Sequence, residues 1–100
     1  MLFRSSVTQR PDHVVGMHFF NPAPVQRFVE VVRTAQADTA VVAKVADLAA
    51  SLGKHAAVVD DAPGFIVNRL LLVYLNHAFS LLDLGHASAP QLDKIGRAHV

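Results

Sequence analysis

The chain has 100 residues, of which 52% are hydrophobic and 17% are charged, and its formal net charge is +1 at pH 7. A chain this apolar is not intrinsically disordered, and its length suits one small domain or part of a larger protein. The basic residues do not cluster, so neither nucleic acid nor an anionic membrane surface is indicated as a partner. The absence of cysteine excludes a disulfide framework and suits a reducing cytoplasm.

The first part of the chain has the pattern of an α/β fold. Val14–Phe20 is a continuous apolar run, which predicts a buried strand in a sheet covered on both faces. After a loop with two prolines, Arg27–Val32 predicts a second strand, and His55–Val59 predicts a third. Between the last two strands the spacing predicts an amphipathic helix, with Asp38 or Thr39 as its N-cap and Gly53 as the stop after its end.

A helical pattern replaces the strand pattern after Asp61. Asp60 and Asp61 offer N-cap oxygens and Pro63 suits a first helical turn, so we expect a helix that continues to Leu84. Ser88 predicts the start of a further helix. The fold class expected is therefore α/β followed by all-α, with a domain boundary near Asp61.

The long helix is apolar around most of its circumference, and one of its apolar stripes consists of Leu72, Leu75, Phe79 and Leu82. Asn68, Arg69, Asn76 and His77 interrupt it, so it does not have the composition of a membrane span, which needs about 20 predominantly apolar residues. Such a helix is typical of the centre of a bundle or of a contact between subunits.

Two ionisable residues lie in apolar runs where burial is costly. Alone, His18 at a strand end is more often structural, and Glu30 is typical of an edge strand facing water. A short loop joins their strands, however, so the two side chains can meet. A carboxylate that accepts from one imidazole nitrogen fixes the tautomer and makes the other nitrogen a better base. The pair therefore becomes a candidate general base.

Two asparagines are further candidates, each with an ordinary structural explanation. Asn68 belongs to a mostly apolar stripe near the helix start, where it either bonds its own backbone or offers an amide to a ligand oxygen. Asn21 precedes a proline, and a turn by itself explains that pair.

Metal and phosphate sites have no support in the pattern. His13 and His18 would lie on opposite faces of a strand, and the other histidines have no acidic residue at ligand spacing, so we expect no metal site. The glycines are scattered singly, so the chain has no glycine-rich loop for a nucleotide pyrophosphate.

Two stretches carry a family resemblance: GMHFFNPAPVQRFVEVV, from Gly16 to Val32, and DDAPGFIVNRLLLVYLNHAFSLLDLG, from Asp60 to Gly85. They resemble the L-3-hydroxyacyl-CoA dehydrogenases, whose shorter members include bacterial 3-hydroxybutyryl-CoA dehydrogenases. The resemblance implies a Rossmann-type NAD-binding domain followed by a helical domain that forms a homodimer. It also implies NAD-dependent interconversion of 3-hydroxyacyl-CoA and 3-oxoacyl-CoA in fatty acid or butanoate metabolism.

The same resemblance implies roles for four residues. His18 matches the catalytic histidine, and Glu30 matches the carboxylate that orients it. Asn68 matches a helix amide that contacts the reacting oxygen, and Asn21 falls where an asparagine approaches the cofactor.

The resemblance also suggests how the chain is organised. Residues 1–61 would be the C-terminal part of the NAD-binding domain, and residues 62–100 the start of the helical domain. The family's phosphate loop, acidic ribose-binding residue and catalytic serine lie upstream of this segment. Residues 1–7 do not resemble the family, and residues 95–100, IGRAHV, match a translated sequencing-library adapter. We therefore expect the middle of an enzyme, inactive when isolated.

Three hypotheses for the parent protein remain open. A monofunctional 3-hydroxybutyryl-CoA enzyme of the cytoplasm is favoured over the dehydrogenase part of a multifunctional β-oxidation protein. The third is a non-catalytic helical dimerisation module derived from the family, which the apolar helix from Phe65 to Leu84 supports.

Overall fold

The computed structural model describes residues 2–98, with side chains from residue 4 onward. The chain divides into two compact units, and the division lies between Phe65 and Ile66. The first unit holds α1 (Leu2–Ser5), a 3-10 turn (Pro11–His13), β1 (Gly16–Phe19), β2 (Phe28–Arg33), α2 (Thr39–Ser51) and β3 (His55–Asp60). The second unit holds α3 (Val67–Asp83) and α4 (Ala89–Arg97). A short sheet followed by helices confirms the predicted fold class.

The three strands form one sheet in the order β1-β2-β3. Strands β1 and β2 are antiparallel, with His18 opposite Glu30, whereas β2 and β3 are parallel, with Glu30 opposite Ala57. The parallel pair needs a crossover connection, and α2 supplies it. Helix α2 packs on both of the strands that it connects.

The core of this unit is β2 rather than β1. Val29, Val31 and Val32 are almost fully buried, because β2 has a neighbouring strand on each side. The prediction of a fully buried strand over Val14–Phe20 is wrong in length and in burial, since β1 covers only Gly16–Phe19 and its side chains are half-buried. As an outer strand of the described sheet, β1 has only one strand neighbour.

Helix α2 begins and ends where the sequence predicts. Asp38 is the N-cap, and its Oδ1 accepts a hydrogen bond from Ala40 N at 2.8 Å, so the choice between Asp38 and Thr39 is settled. Val42 and Ala49 are its buried residues. Beyond its end, Gly53 has a φ of 73°, a left-handed conformation that glycine adopts without steric cost.

The predicted start of the long helix is wrong. Asp60 is the last residue of β3 and accepts a hydrogen bond from Arg33 Nε at 2.7 Å, so it caps nothing. Helix α3 begins at Val67 without a side-chain cap. A turn precedes it, in which Phe65 N donates to Ala62 O at 2.9 Å.

In the second unit, α3 packs against α4 but has no buried residue in the described structure. Helix α3 is therefore exposed within the described residues, and its place at the centre of a bundle or in a contact between subunits stays a prediction. Ser88 is the N-cap of α4, and its backbone N–H donates to Gln91 Oε1 at 2.8 Å, a capping-box contact. Within residues 2–98, none of the helices has the length and apolarity to cross a bilayer. Residues 99 and 100, the end of the adapter-like stretch, lie outside the described residues.

Candidate active site

The two ionisable residues singled out by the sequence form a hydrogen-bonded pair. His18 Nδ1 lies 3.2 Å from Glu30 Oε1, across the antiparallel strands β1 and β2. The Glu30 side chain is 1% exposed, while that of His18 is 27% exposed. The pair is therefore buried at its carboxylate end and open to a ligand at its imidazole end.

Strand geometry explains why these two side chains meet. His18 and Glu30 are directly opposite in the ladder, and opposite residues of an antiparallel pair project from the same face of the sheet. The loop that joins the strands holds the register, because a shift by one residue would move one side chain to the other face.

Two aromatic rings contact the imidazole of His18. The ring centroid of Phe20 lies 4.8 Å from that of His18, at an interplanar angle of 57°. The ring of Phe65 lies 5.3 Å away, at an angle of 53°. Both separations are in the range of favourable tilted ring contacts. The sequence analysis missed both contacts, although the dipeptide Pro63-Gly64 signals the turn that places Phe65.

The loop after β1 carries Asn21, whose side chain is exposed. The Asn21–Pro22 peptide bond is cis. Lys54, the residue before β3, anchors this loop, since its Nζ donates to Ala23 O and to Gln26 O, both at 2.7 Å. The same ammonium lies 5.8 Å from the centre of the Phe19 ring. Sequence reasoning missed Lys54, because only the fold brings it to the loop.

Asn68 belongs to the second unit. It is the second residue of α3 and is half-buried. Of the four predicted site residues, the structure thus pairs His18 with Glu30, leaves Asn21 on the adjacent loop and puts Asn68 on a helix of the other unit. The catalytic and cofactor-binding roles of all four stay predictions.

His13 has a different environment from His18. Its Nδ1 lies 3.1 Å from Asp12 Oδ1, and this hydrogen bond holds the pKa of the exposed Asp12 carboxyl below its ordinary value. Across the described residues, no group of three metal-binding side chains comes together.

The arrangement can perform proton transfer. With Nδ1 engaged by Glu30, the nitrogen of His18 that remains for a ligand is Nε2. A buried carboxylate on the far side of the ring stabilises the imidazolium that forms when Nε2 takes a proton. These are the parts of a general base.

Two family models match successive parts of the chain. Residues 4–62 match the 3-hydroxyacyl-CoA dehydrogenase, NAD binding domain. Residues 64–100 match the 3-hydroxyacyl-CoA dehydrogenase, C-terminal domain.

Curated relatives of the chain include proteins named as hydroxyacyl-CoA and 3-hydroxybutyryl-CoA dehydrogenases. The chain is 43% identical over 89 residues to the mitochondrial hydroxyacyl-coenzyme A dehydrogenase of Homo sapiens, covering 89% of this chain and 28% of the relative. It is 39% identical over 98 residues to the 3-hydroxybutyryl-CoA dehydrogenase of Clostridioides difficile, covering 95% and 35%. The chain thus spans about a third of the length of such relatives or less.

Solved structures agree in fold. The (S)-3-hydroxybutyryl-CoA dehydrogenase from Ralstonia eutropha superposes with a TM-score of 0.86 at 42% identity, over 90% of this chain and 32% of that one. A second structure, an NAD⁺-dependent dismutase that is a 5-dehydrogenase of a pyridine carboxylic acid, superposes with a TM-score of 0.88 at 32% identity, over 93% and 30%.

Proposed function

We propose that this chain, which belongs to the 3-hydroxyacyl-CoA dehydrogenase family, carries the proton-transfer pair of an enzyme that interconverts 3-hydroxyacyl-CoA and 3-oxoacyl-CoA. The observation that carries the proposal is the 3.2 Å contact between His18 Nδ1 and the buried Glu30 carboxylate. A hydroxyl group can only be oxidised to a ketone if something accepts its proton, and this pair is built to do so.

The chemistry follows from the two ends of the imidazole. His18 takes the proton of the 3-hydroxyl at Nε2 while the carbon–hydrogen bond breaks and the carbon–oxygen double bond forms. Glu30 accepts from Nδ1, holds the ring in one tautomer and stabilises its positive charge. In the reverse reduction, His18 returns the proton to the oxygen.

NAD supplies the hydride acceptor when it is bound. The residues present fit its nicotinamide end, because His18 is open on one side and the amide of Asn21, which can both donate and accept hydrogen bonds, is exposed on the following loop. The single glycines of this chain form no pyrophosphate cradle, so the rest of the full-length protein would hold the phosphates.

Asn68 has the chemistry of an oxygen-binding residue. Its position in the first turn of α3 puts its amide beside the positive end of a helix, where a substrate oxygen with partial negative charge is stabilised. We therefore assign it to contact with the reacting oxygen.

The acyl-CoA substrate class rests on the relatives rather than on a residue of this chain. Relatives named for hydroxyacyl-CoA and 3-hydroxybutyryl-CoA support it, and with it a place in fatty acid β-oxidation. The structural match to a pyridine carboxylic acid dehydrogenase shows that the same fold serves other substrates, so a substrate panel must include alcohols without CoA.

We further propose a homodimer in the cytoplasm. The exposed apolar side chains of α3 favour association with a second copy. The bacterial relatives and the cysteine-free sequence fit a reducing cytoplasm, whereas the mammalian relatives are mitochondrial.

Replacement of the histidine tests the proposal. In the full-length protein that contains this chain, we expect His18→Gln to lower kcat for 3-hydroxybutyryl-CoA by about 10²–10⁴-fold, because the proton acceptor is lost. NADH formation measures the rate, and His86→Gln, at an exposed position between α3 and α4, is the matched control. A wild-type kcat in His18→Gln would contradict the proposal.

A further inference from the structure

The backbone at Phe65 is unusual. Among residues 2–98, Phe65 is the only residue other than glycine with a positive φ, at 49°. A bulky side chain in this left-handed conformation costs about 1–3 kcal/mol and persists only where the surrounding structure imposes it.

A tight turn comes directly before the backbone torsion of Phe65. Phe65 N donates to Ala62 O at 2.9 Å, and Gly64 has a φ of 74°. These are the features of a type II turn with proline and glycine at its two central positions. The turn lies at the end of the first unit, and Phe65 is the last residue of that unit.

The strained residue is the one that touches the imidazole. Its ring lies 5.3 Å from that of His18, and the ring of Phe20 lies 4.8 Å from it. The hydrogen bond to Glu30 fixes only Nδ1, so the imidazole could still swing about that contact. Contacts with two rings restrict this swing and so define where Nε2 lies.

We propose that Phe65 is a positioning residue for His18, with the turn Ala62–Phe65 setting its ring against the imidazole so that Nε2 stays aligned with the substrate hydroxyl. This inference rests on the proposed function of His18. The left-handed backbone of Phe65 destabilises the fold slightly, but it holds the imidazole in place. This matters because misplacement of a reacting group by about 1 Å can lower a rate about a hundredfold.

Three substitutions in the full-length protein separate this role from simple packing. Phe65→Leu removes the ring, and we expect kcat to fall about ten- to a hundredfold while KM changes by less than about twofold. Phe65→Tyr keeps the ring and should restore kcat. Phe65→Asn also removes the ring but adopts positive φ readily, so it keeps the test valid if Phe65→Leu folds poorly. Phe28→Leu is the matched control and should keep the wild-type kcat. It also removes an aromatic ring, but that ring lies 5.7 Å from the ring of Phe20 and thus one residue further from the imidazole.

Proton–nitrogen correlation NMR of the histidine rings supplies a readout that does not depend on activity. We expect the Nδ1–H tautomer of His18 in every variant, because Glu30 is unchanged. The ring signals should be single and sharp in the wild type and in Phe65→Tyr, but broadened or doubled in Phe65→Leu and Phe65→Asn, because the imidazole then takes up more than one orientation. If both ring-less variants keep the wild-type kcat and the single, sharp ring signals of His18, the positioning role is wrong. If the wild type turns over no 3-hydroxyacyl-CoA, the proposed function fails, and the ring signals of His18 still decide whether Phe65 holds the orientation of the imidazole.

Discussion

Glu30 has the most constrained environment among the candidate site residues. Removing a carboxylate from water costs several kcal/mol unless charged or hydrogen-bonding groups compensate. Its neighbours along β2, Val29 and Val31, are fully buried and apolar, so they offer no such compensation from their side chains. The hydrogen bond with His18 provides part of it, and this explains why a carboxylate persists in the core strand.

Removal of the Glu30 charge is expected to impair catalysis without unfolding the protein. Glu30→Gln keeps the size and a hydrogen-bonding oxygen but loses the charge that stabilises the imidazolium. We expect kcat to fall about ten- to a hundredfold, less than for His18→Gln. Steady-state kinetics and circular dichroism of the full-length protein measure the two effects.

A surface carboxylate provides the control for that substitution. Asp60 lies on the neighbouring strand β3 and pairs with Arg33, but its side chain is 78% exposed. Asp60→Asn should leave kcat unchanged, because an exposed ion pair contributes little. An unchanged kcat in Glu30→Gln as well would contradict the role of the carboxylate.

The sequence predicts the buried pair but not its surroundings. The physical cost of placing His18 and Glu30 in apolar strands is visible in the pattern itself, so their pairing could be anticipated. The contact of Phe65 with the imidazole depends on a turn geometry and on a separation of 47 positions along the chain, which periodicity does not encode. Contacts that depend on the geometry of a turn or a loop therefore escaped prediction.

At the scale of elements, prediction succeeded where the local signals agreed. Helix α2 has a capping aspartate, an apolar stripe and a terminal glycine that agree with one another, and its predicted bounds hold. At the start of α3 two signals compete, since Pro63 suits a first helical turn as well as a β-turn. Gly64 decides for the β-turn, because its positive φ cannot continue a helix.

The loop between β1 and β2 depends on one lysine from outside it. Lys54→Met keeps most of the aliphatic stem but removes the donors to Ala23 O and Gln26 O. We expect a loss of about 1–3 kcal/mol in the local stability of the loop, the usual contribution of hydrogen bonds from a charged donor. Hydrogen exchange at the amides of Val25 and Gln26, which both donate to Pro22 O at 3.0 Å, measures it directly.

Lys44→Met is the matched control, because Lys44 is exposed on α2. Its effect on the same two amides should stay within about 0.5 kcal/mol. Equal exchange rates in Lys54→Met and the wild type would show that the loop holds its conformation without the lysine.

At the scale of the whole molecule, the exposed apolar surface of α3 is the main departure from an ordinary water-facing helix. Leu72 is 64% exposed and Phe79 is 63% exposed, and both lie on the stripe that the sequence predicts. Single exposed apolar residues are ordinary, but a continuous row on one helix marks a surface that another element covers. We propose that the second copy in the homodimer is that element.

A charge placed in this row is expected to separate the dimer. Phe79→Lys in the full-length protein puts an ammonium where the proposed contact is apolar, and burying that charge without a partner costs more than the contact gains. Sedimentation velocity should show a dimer for the wild type and a monomer at micromolar concentration for Phe79→Lys. Phe79→Leu keeps the surface apolar and should remain a dimer. If Phe79→Lys sediments as the wild type does, α3 is not the contact between the two copies.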